Sequence, residues 1–469
     1  MFNKIMSFSL GPVLSVVVGI ATVPILSWYF KPEDLGQMNL FITLMAGATN
    51  IFVLGLDQAY VRFYESSKNR KSLFITCMLP QVIFLSVVTL IIVTFEGSYN
   101  LIGRIFLIDS VFLKSIIICS FWLVLFIRML SLIPRMEGCG YKFSLIQVVR
   151  KISVLMSIPI IIFYFIDIEG KAILLQSVSI FITSLFAFYF AMGCLNKRES
   201  WSLLPSNDRN NIYIYGKPLI LSGVIFWVLI SMDRISLRFF HGISELGVYS
   251  VAISLSAFMT VFQSIFSTLW SPIGYKWFEN NSVSSFKLKF KVASKFVVQF
   301  TSVLMLLYLV FSDLAVFILP PQYHESIGIS KLLVLYPYFY IISEVSGIGI
   351  NLEKKTKYLA QIMLACGAVN LSLNFLLTPK FGSLGASLAI ALTFCLYMTL
   401  KSSVSARLGH AYISISSYLI ILAVFILCML DVVYGGYAFK CLSVFIVIYI
   451  LFMIFKSKSD FEVVRDGNA

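Results

Sequence analysis

Two arginines four residues apart, in an otherwise apolar stretch, are the part of this sequence best suited to chemistry. Residues 216–249 read GKPLILSGVIFWVLISMDRISLRFFHGISELGVY. Leu219 to Ile230 is apolar apart from Ser222 and Gly223; Asp233, Arg234 and Arg238 then follow before His241-Gly242. On a helix, residues four apart share a face, and Asp233 lies one position round from Arg234. A segment of about 20 residues crosses the hydrocarbon core, so these charges fall within it or at its outer edge. Charge at that depth is costly and usually faces the bundle interior or a water-filled cavity. A structural ion pair, or arginines snorkelling to the interface, is the alternative.

Composition decides which elements must position these charges. The chain has 469 residues, 59% of them hydrophobic, 15% aromatic and only 12% charged, and its mean hydropathy is +0.92. Apolar runs recur along the whole length, which predicts an all-α polytopic membrane protein. Fourteen spans are predicted: 9–30, 37–57, 73–95, 112–133, 143–166, 172–193, 214–240, 246–272, 292–319, 330–351, 357–378, 383–403, 411–431 and 437–455. The first apolar run, Phe8 to Phe30, is long enough to span, and no small-residue cleavage site follows it, so it is read as a helix and not as a cleavable signal.

The distribution of charge gives the orientation. With the N-terminus inside, 27 of the 36 Lys and Arg fall on the inner side. The other nine are Lys31, Arg104, Lys114, Lys171, Arg234, Arg238, Lys331, Lys380 and Lys440. This positive-inside bias places both termini in the cytoplasm. The net charge of +14 is spread over many short loops, which removes nucleic acid as a partner. Six cysteines (Cys77, Cys119, Cys194, Cys366, Cys395, Cys428) fall in spans and none has the paired spacing of a metal site, so the cysteines are read as packing residues. His241, His324 and His410 fall in loops or at helix ends, where a surface histidine is the simplest reading.

Asn196 to Asn211 (NKRESWSLLPSNDRNN) is the clearest linker, with a proline, four asparagines and mixed charge. It predicts an N-terminal lobe over 1–196, a cytoplasmic linker over 197–213, a C-terminal lobe over 214–408, and two further helices with a tail over 409–469. Ser282 to Lys295 is a second basic segment; Lys287, Lys289 and Lys291 among Phe286 and Phe290 suit a helix lying at the inner leaflet, where anionic membrane lipids attract lysine, or an ordinary inner loop. A weak repeat supports two lobes. Asp34-Leu35-Gly36 and Glu245-Leu246-Gly247 each precede a span, and the spans before them open with Pro12 and Pro218. Transporters are commonly built from such repeats, and the acids favour the N-terminus of the following helix.

Three stretches carry a family resemblance: LGLDQAYVRFYES (54–66), SMDRISLRFFHGISELGVYSVA (231–252) and TPKFGSLGASLAIALT (378–393). The chain resembles the O-antigen-type polysaccharide-lipid flippases of the multidrug/oligosaccharidyl-lipid/polysaccharide exporter superfamily. That resemblance implies two six-helix lobes in a V around a central cavity, plus two C-terminal helices, working by alternating access in the bacterial inner membrane. It implies an undecaprenyl-pyrophosphate-linked oligosaccharide as substrate and polysaccharide assembly proteins as partners.

Such a substrate needs a cationic, polar path for its head group. Arginine suits phosphate because its fork is planar, bidentate and always charged. Arg234 and Arg238, with Asp233 beside them, would meet the pyrophosphate on the outer half of a cavity; Arg128, five residues from the inner end of its span, would meet it on the inner half or snorkel. Gln263, Asn370 and Asn374 could bond sugar hydroxyls or bond between helices. Glu344, in YFYIISEVSGIGIN, either counters a cavity arginine or carries a coupling proton or sodium ion. Asp57 and Arg62 are gate candidates, with an Arg62–Glu65 bridge three residues apart. No other cofactor and no metal is expected. A cation-coupled multidrug antiporter of the same superfamily is the nearest rival, but helix 1 has no acid between Met1 and Lys31. A membrane polysaccharide polymerase, an enzyme, would need a large outer loop or an acidic pair, and the outer loops are short.

Overall fold

A computed structural model describes residues 2–67, 69–164, 169–195, 201–280, 283–353, 355–410 and 413–456. Among these residues the chain is helical without strands, and it divides into two compact units, Met1–Arg234 and Ile235–Ala469. The start of the expected linker (196–200), the end of the fifth predicted span, the start of the thirteenth and the tail after Lys456 lie outside the described residues.

The first unit contains α1 (Phe2–Tyr29), α2 (Pro32–Phe52), α3 (Leu56–Phe63), α4 (Arg70–Tyr99), α5 (Leu101–Phe106), α6 (Val111–Met136), α7 (Gly140–Tyr164), α8 (Lys171–Met192) and most of α9 (Ser206–Phe240). Here α7 packs on both α1 and α8, and α8 also packs on α6 and α2. Small residues set the close approach of α1 to α7: a Cβ on Gly11 would come within 2.6 Å of the Ser144 backbone. The second unit contains α10 (Ile243–Asn280), α11 (Val283–Phe311), α12 (Glu325–Leu333), α13 (Leu335–Ser346), α14 (Ile348–Leu352), α15 (Thr356–Arg407), α16 (Ile415–Tyr434) and α17 (Tyr437–Lys456). In it α15 packs on α12 and α13, while α11 supports α16 and α17.

Eleven described helices are long and apolar enough to cross a membrane, and α2 with α3, bent by 56°, together are long and apolar enough for one more span. The 52-residue α15 is divided at Gly382, whose φ of 54° and ψ of −131° are not helical, so it carries two predicted spans. With α1 over the first span, every predicted span falls on a helix.

Three local expectations need correction. The helix before each acid-Leu-Gly stretch does not open at its proline: α1 begins at Phe2, and Pro218 lies inside α9, which begins at Ser206 within the predicted linker. The basic segment from Val283 is not a separate helix on the membrane surface but the first turns of α11. Its Phe286 and Phe290 are buried at 3% and 2%, where Phe286 meets Phe278 and Phe290 meets Trp270. Burial of those rings in the bundle outweighs what they would gain at an interface. Lys287 and Lys291 stay exposed on the other side.

The weak repeat has a structural counterpart. Asp34, in the first turn of α2, pairs with Lys171 at 3.6 Å, the first residue of α8, which follows Gly170 with φ +73°. Glu245, in the first turn of α10, accepts the Ser383 N–H at 2.5 Å, immediately after Gly382. In each unit an acid on one helix thus meets the start of another helix just past a left-handed glycine. The acid therefore does more than favour its own helix terminus: it also supplies negative charge to a second helix N-terminus.

Ion pairs hold four of the nine cations that the sequence places outside. Besides Lys171, Lys114 pairs with Glu96 at 3.1 Å. Lys331 pairs with Asp431 at 2.7 Å and with Asp313 at 2.9 Å, and Lys440 pairs with Asp313.

Candidate functional site

The first unit contains a cavity of about 550 Å³, walled by α2, α6, α7 and α8. Ligand sites commonly fall in this size range. Three cations line it, Arg128 from α6 and Arg150 and Lys151 from α7, and no acid does among the described residues. Helical spacing explains the α7 contribution: Phe143, Gln147, Arg150 and Val154 recur at steps of three and four and share one face. Residues off that face, Ser144 and Ser153, are buried. Ser179 of α8 donates to the Arg150 carbonyl at 2.6 Å and pins α7 at the cationic turn. Neither Arg150 nor Lys151 has an acid partner among the described residues. Gln176, Asn50 and Gln147 add carboxamides to the wall.

Arg128 is held differently. Its Nη2 and Nε lie 2.5 and 3.1 Å from Asp57 Oδ2. The Asp57 side chain is 5% exposed and that of Arg128 41%. The sequence LGLDQAYVRFYES creates this pair by breaking a helix. Leu54 and Gly55 take φ of +50° and +67°, ending α2 and starting α3 with Asp57 in its first turn. Only glycine fits the second position: a Cβ on Gly55 would come within 2.4 Å of the Gly216 carbonyl oxygen. Leu54, a branched residue in the left-handed region, is strained by about 1–3 kcal/mol. Arg128 thus lines the cavity and is anchored there by a buried carboxylate. Arg62 and Glu65 are both exposed, and no ion pair joins them, which corrects the expected bridge; Arg62 is oriented away from the buried face that holds Asp57.

The other sequence-predicted residues are placed as follows. Asp233 is buried at 3%. Arg234 donates to the Ile230 carbonyl of its own helix at 3.1 Å and is not among the cavity-lining residues of the first unit; Arg238 is half-buried near the end of α9. Gln263 donates to the Tyr336 hydroxyl at 3.4 Å. Asn370 and Asn374 are buried at 1% and 0%. Asn374 donates to the Asn370 carbonyl, Asn370 donates to Thr393, and Thr378 donates to Asn374. Their amides serve a ladder within α15, including a link across its break.

Glu344 accepts from Lys401 Nζ at 2.7 Å, and the lysine is 4% exposed. The counter-charge of this acid is therefore a lysine on α15, not a cavity arginine. Glu344→Gln is expected to lower stability by leaving Lys401 buried and unpaired, whereas the double change Glu344→Leu with Lys401→Met should restore it. Thermal unfolding in detergent reads both, and a double variant as unstable as the single one would mean the pair does more than balance charge.

Arg150 and Lys151 escaped the sequence reading. Both lie well inside a predicted span, as Arg128 does, but the positive-inside count absorbed them as inner-side charges.

A family model described as "Polysaccharide biosynthesis protein" matches residues 1–273. Among solved structures, the chain is similar to the lipid II flippase MurJ in an inward closed conformation, at TM-score 0.74 and 14% identity, over 97% of this chain and 99% of that one. It is also similar to a multidrug resistance MATE family transporter of the MOP superfamily in its inward-facing conformation, at TM-score 0.64 and 13% identity, over 85% and 94%. The same kind of transporter facing outward gives TM-score 0.55 at 13% identity, over 87% and 95%. No curated protein matches the chain. At these identities the structures establish a shared fold, that of flippases and transporters.

Proposed function

The chain belongs to the family of polysaccharide biosynthesis proteins, and we propose that it flips an undecaprenyl-pyrophosphate-linked oligosaccharide of the O-antigen type across the bacterial cytoplasmic membrane by alternating access. The observation that carries this reading is the pair Arg150 and Lys151, two adjacent cations that have no acid partner among the described residues and stand on a cavity wall whose described lining includes no acid. A diphosphate supplies the missing negative charge. Arg150 would grip it with a planar fork, Lys151 would act as a point charge, and Arg128 would be the third contact. Asn50, Gln147 and Gln176 would bond the first sugar hydroxyls. Arg234 and Arg238 would form a second cationic station on the route, and the polyprenyl tail would stay in lipid.

An organic cation would meet two cations without an acid partner among the described residues, Arg150 and Lys151, beside an Arg128 already paired with Asp57, so the multidrug antiporter reading has less support. The discriminating experiment uses purified protein in liposomes with a labelled undecaprenyl-diphosphate oligosaccharide and, in parallel, ethidium. Movement of the lipid and not of ethidium is expected. Movement of ethidium alone would replace this function with cation export.

Reporter fusions after Lys71, Arg209 and Lys357 should report cytoplasm, and fusions after Glu96, Gly242 and Gly382 the opposite side. An outer signal at Arg209 would overturn the orientation and the cytoplasmic placement of both termini.

A further inference from the structure

We infer that Asp57 is a built-in anion that occupies Arg128 while the cavity is empty, and that a diphosphate takes Arg128 from it and so removes the polar tie between α3 and α6. The inference rests on the anion-binding reading of the cavity. It starts from the shape of the ion pair. Arg128 spends both Nε and Nη2 on one oxygen, Asp57 Oδ2, which also accepts from Gln58 Nε2 at 3.2 Å. This is an edge-on contact, not the two-bond fork that holds arginine to carboxylate most strongly. One partner is sunk in protein, and the other is 41% exposed on the cavity wall. The guanidinium therefore reaches the ligand space without the carboxylate following it.

The neighbouring cations give the exchange its direction. Arg150 and Lys151 are already free to meet an anion, whereas Arg128 has to be taken from Asp57. A diphosphate carries more charge and more acceptor oxygens than a carboxylate, and it can engage all three cations together. The consequence reaches the backbone because Asp57 begins the segment beyond the break. The 56° bend between α2 and α3 passes through left-handed Leu54 and Gly55, and the Asp57–Arg128 pair ties the bent segment to α6. Leu56, Ala59 and Tyr60 also pack in the apolar core with Leu125 and Met129 of α6, so removing the polar tie loosens the first turn of α3 at the two left-handed residues and does not detach the helix. Anion binding and the bend of this helix pair are thereby linked through one guanidinium.

The test uses full-length protein in lipid nanodiscs and inorganic pyrophosphate as the probe. Asp57→Asn keeps the size of the side chain and removes its charge. It should bind pyrophosphate about tenfold tighter than wild type, within the usual range for coupled sites. Arg128→Gln should bind more weakly, and adding Asp57→Asn to Arg128→Gln should change nothing further, because the competition has lost its object. Hydrogen exchange in wild type supplies a readout free of mutation: residues 56–63 should exchange faster when pyrophosphate is added. Equal or weaker binding by Asp57→Asn, or unchanged exchange in 56–63, overturns the exchange of partners. The cavity reading is tested separately by Arg150→Gln with Lys151→Gln, which should lose pyrophosphate whatever happens at Asp57. Wild type that binds no pyrophosphate overturns both.

Discussion

Changing Arg150 and Lys151 together to alanine is expected to abolish delivery of surface polysaccharide in cells lacking their own flippase. Each charge-assisted contact to a phosphate contributes about 1.5–3 kcal/mol, so losing two should weaken binding at least a hundredfold or so. The two residues are not interchangeable. Arg150→Lys keeps a charge but loses the fork, and should recover only part of the activity, whereas Lys151→Arg should recover most of it. Neither side chain has an acid partner among the described residues, so their removal leaves no buried carboxylate behind, and expression should stay close to wild type. The measurement is surface polysaccharide normalised to membrane-inserted protein, with the lipid-linked intermediate quantified in the same cells. Accumulated intermediate with absent polymer is the expected pattern. Normal polymer from the double alanine variant would show that the cavity of the first unit does not carry the substrate.

Lys331→Ala is expected to be the most destabilising charge removal in the second unit, by about 3–5 kcal/mol, the scale on which breaking a buried ion pair acts. Lys331 is 6% exposed and Asp431 is 4% exposed. Without the lysine, Asp431 is left charged in the interior beside the Cys428 sulfur, which itself donates to the Lys331 carbonyl. Asp313 suffers less, because it is 40% exposed and keeps Lys440. The pair should be replaceable where the single residue is not: Lys331→Met with Asp431→Leu fills similar volume without charge and should recover most of the loss. Heat-inactivation half-lives of the purified variants compare the two. A single alanine variant as durable as wild type would mean that water reaches this site.

The fold was legible from the sequence because span length and apolar content follow directly from bilayer thickness, and the predicted spans accordingly fall on helices. What lay beyond reach depends on tertiary contact. Lys331 and Asp431 are 100 residues apart, and no local pattern announces that they meet. Glu344 drew notice as an acid in an apolar run, yet its partner Lys401 looked like an ordinary inner-end lysine. Asn370 and Asn374 were correctly placed on one face, and they proved close enough to bond each other. The LGLDQAYVRFYES stretch was noticed as a family signature, while the break at Leu54 and Gly55 was not foreseen, because a leucine in the left-handed region contradicts its own preference. Arg150 and Lys151, on which the proposed substrate site rests, were the costliest omission. Positive residues in the inner half of a span satisfy the topology rule so readily that the rule conceals any second role.

The Lys331 cluster also has a consequence for how the chain is made. Synthesis runs at about 5–20 residues per second, so Asp431 follows Lys331 by roughly 5–20 s. During that interval a lysine in a spanning helix faces an insertion penalty of about 2.5–3.5 kcal/mol. Asp313 is made before Lys331 and pairs with it at 2.9 Å, so it can escort the lysine into the bilayer and later share it. When α16 arrives, Asp431 becomes the inner partner, and Lys440, made last, neutralises the escort. The four charges then read as a schedule: after Asp313, each is made with a partner already in place, and the helix pair at the C-terminal end completes an insertion that began more than a hundred residues earlier.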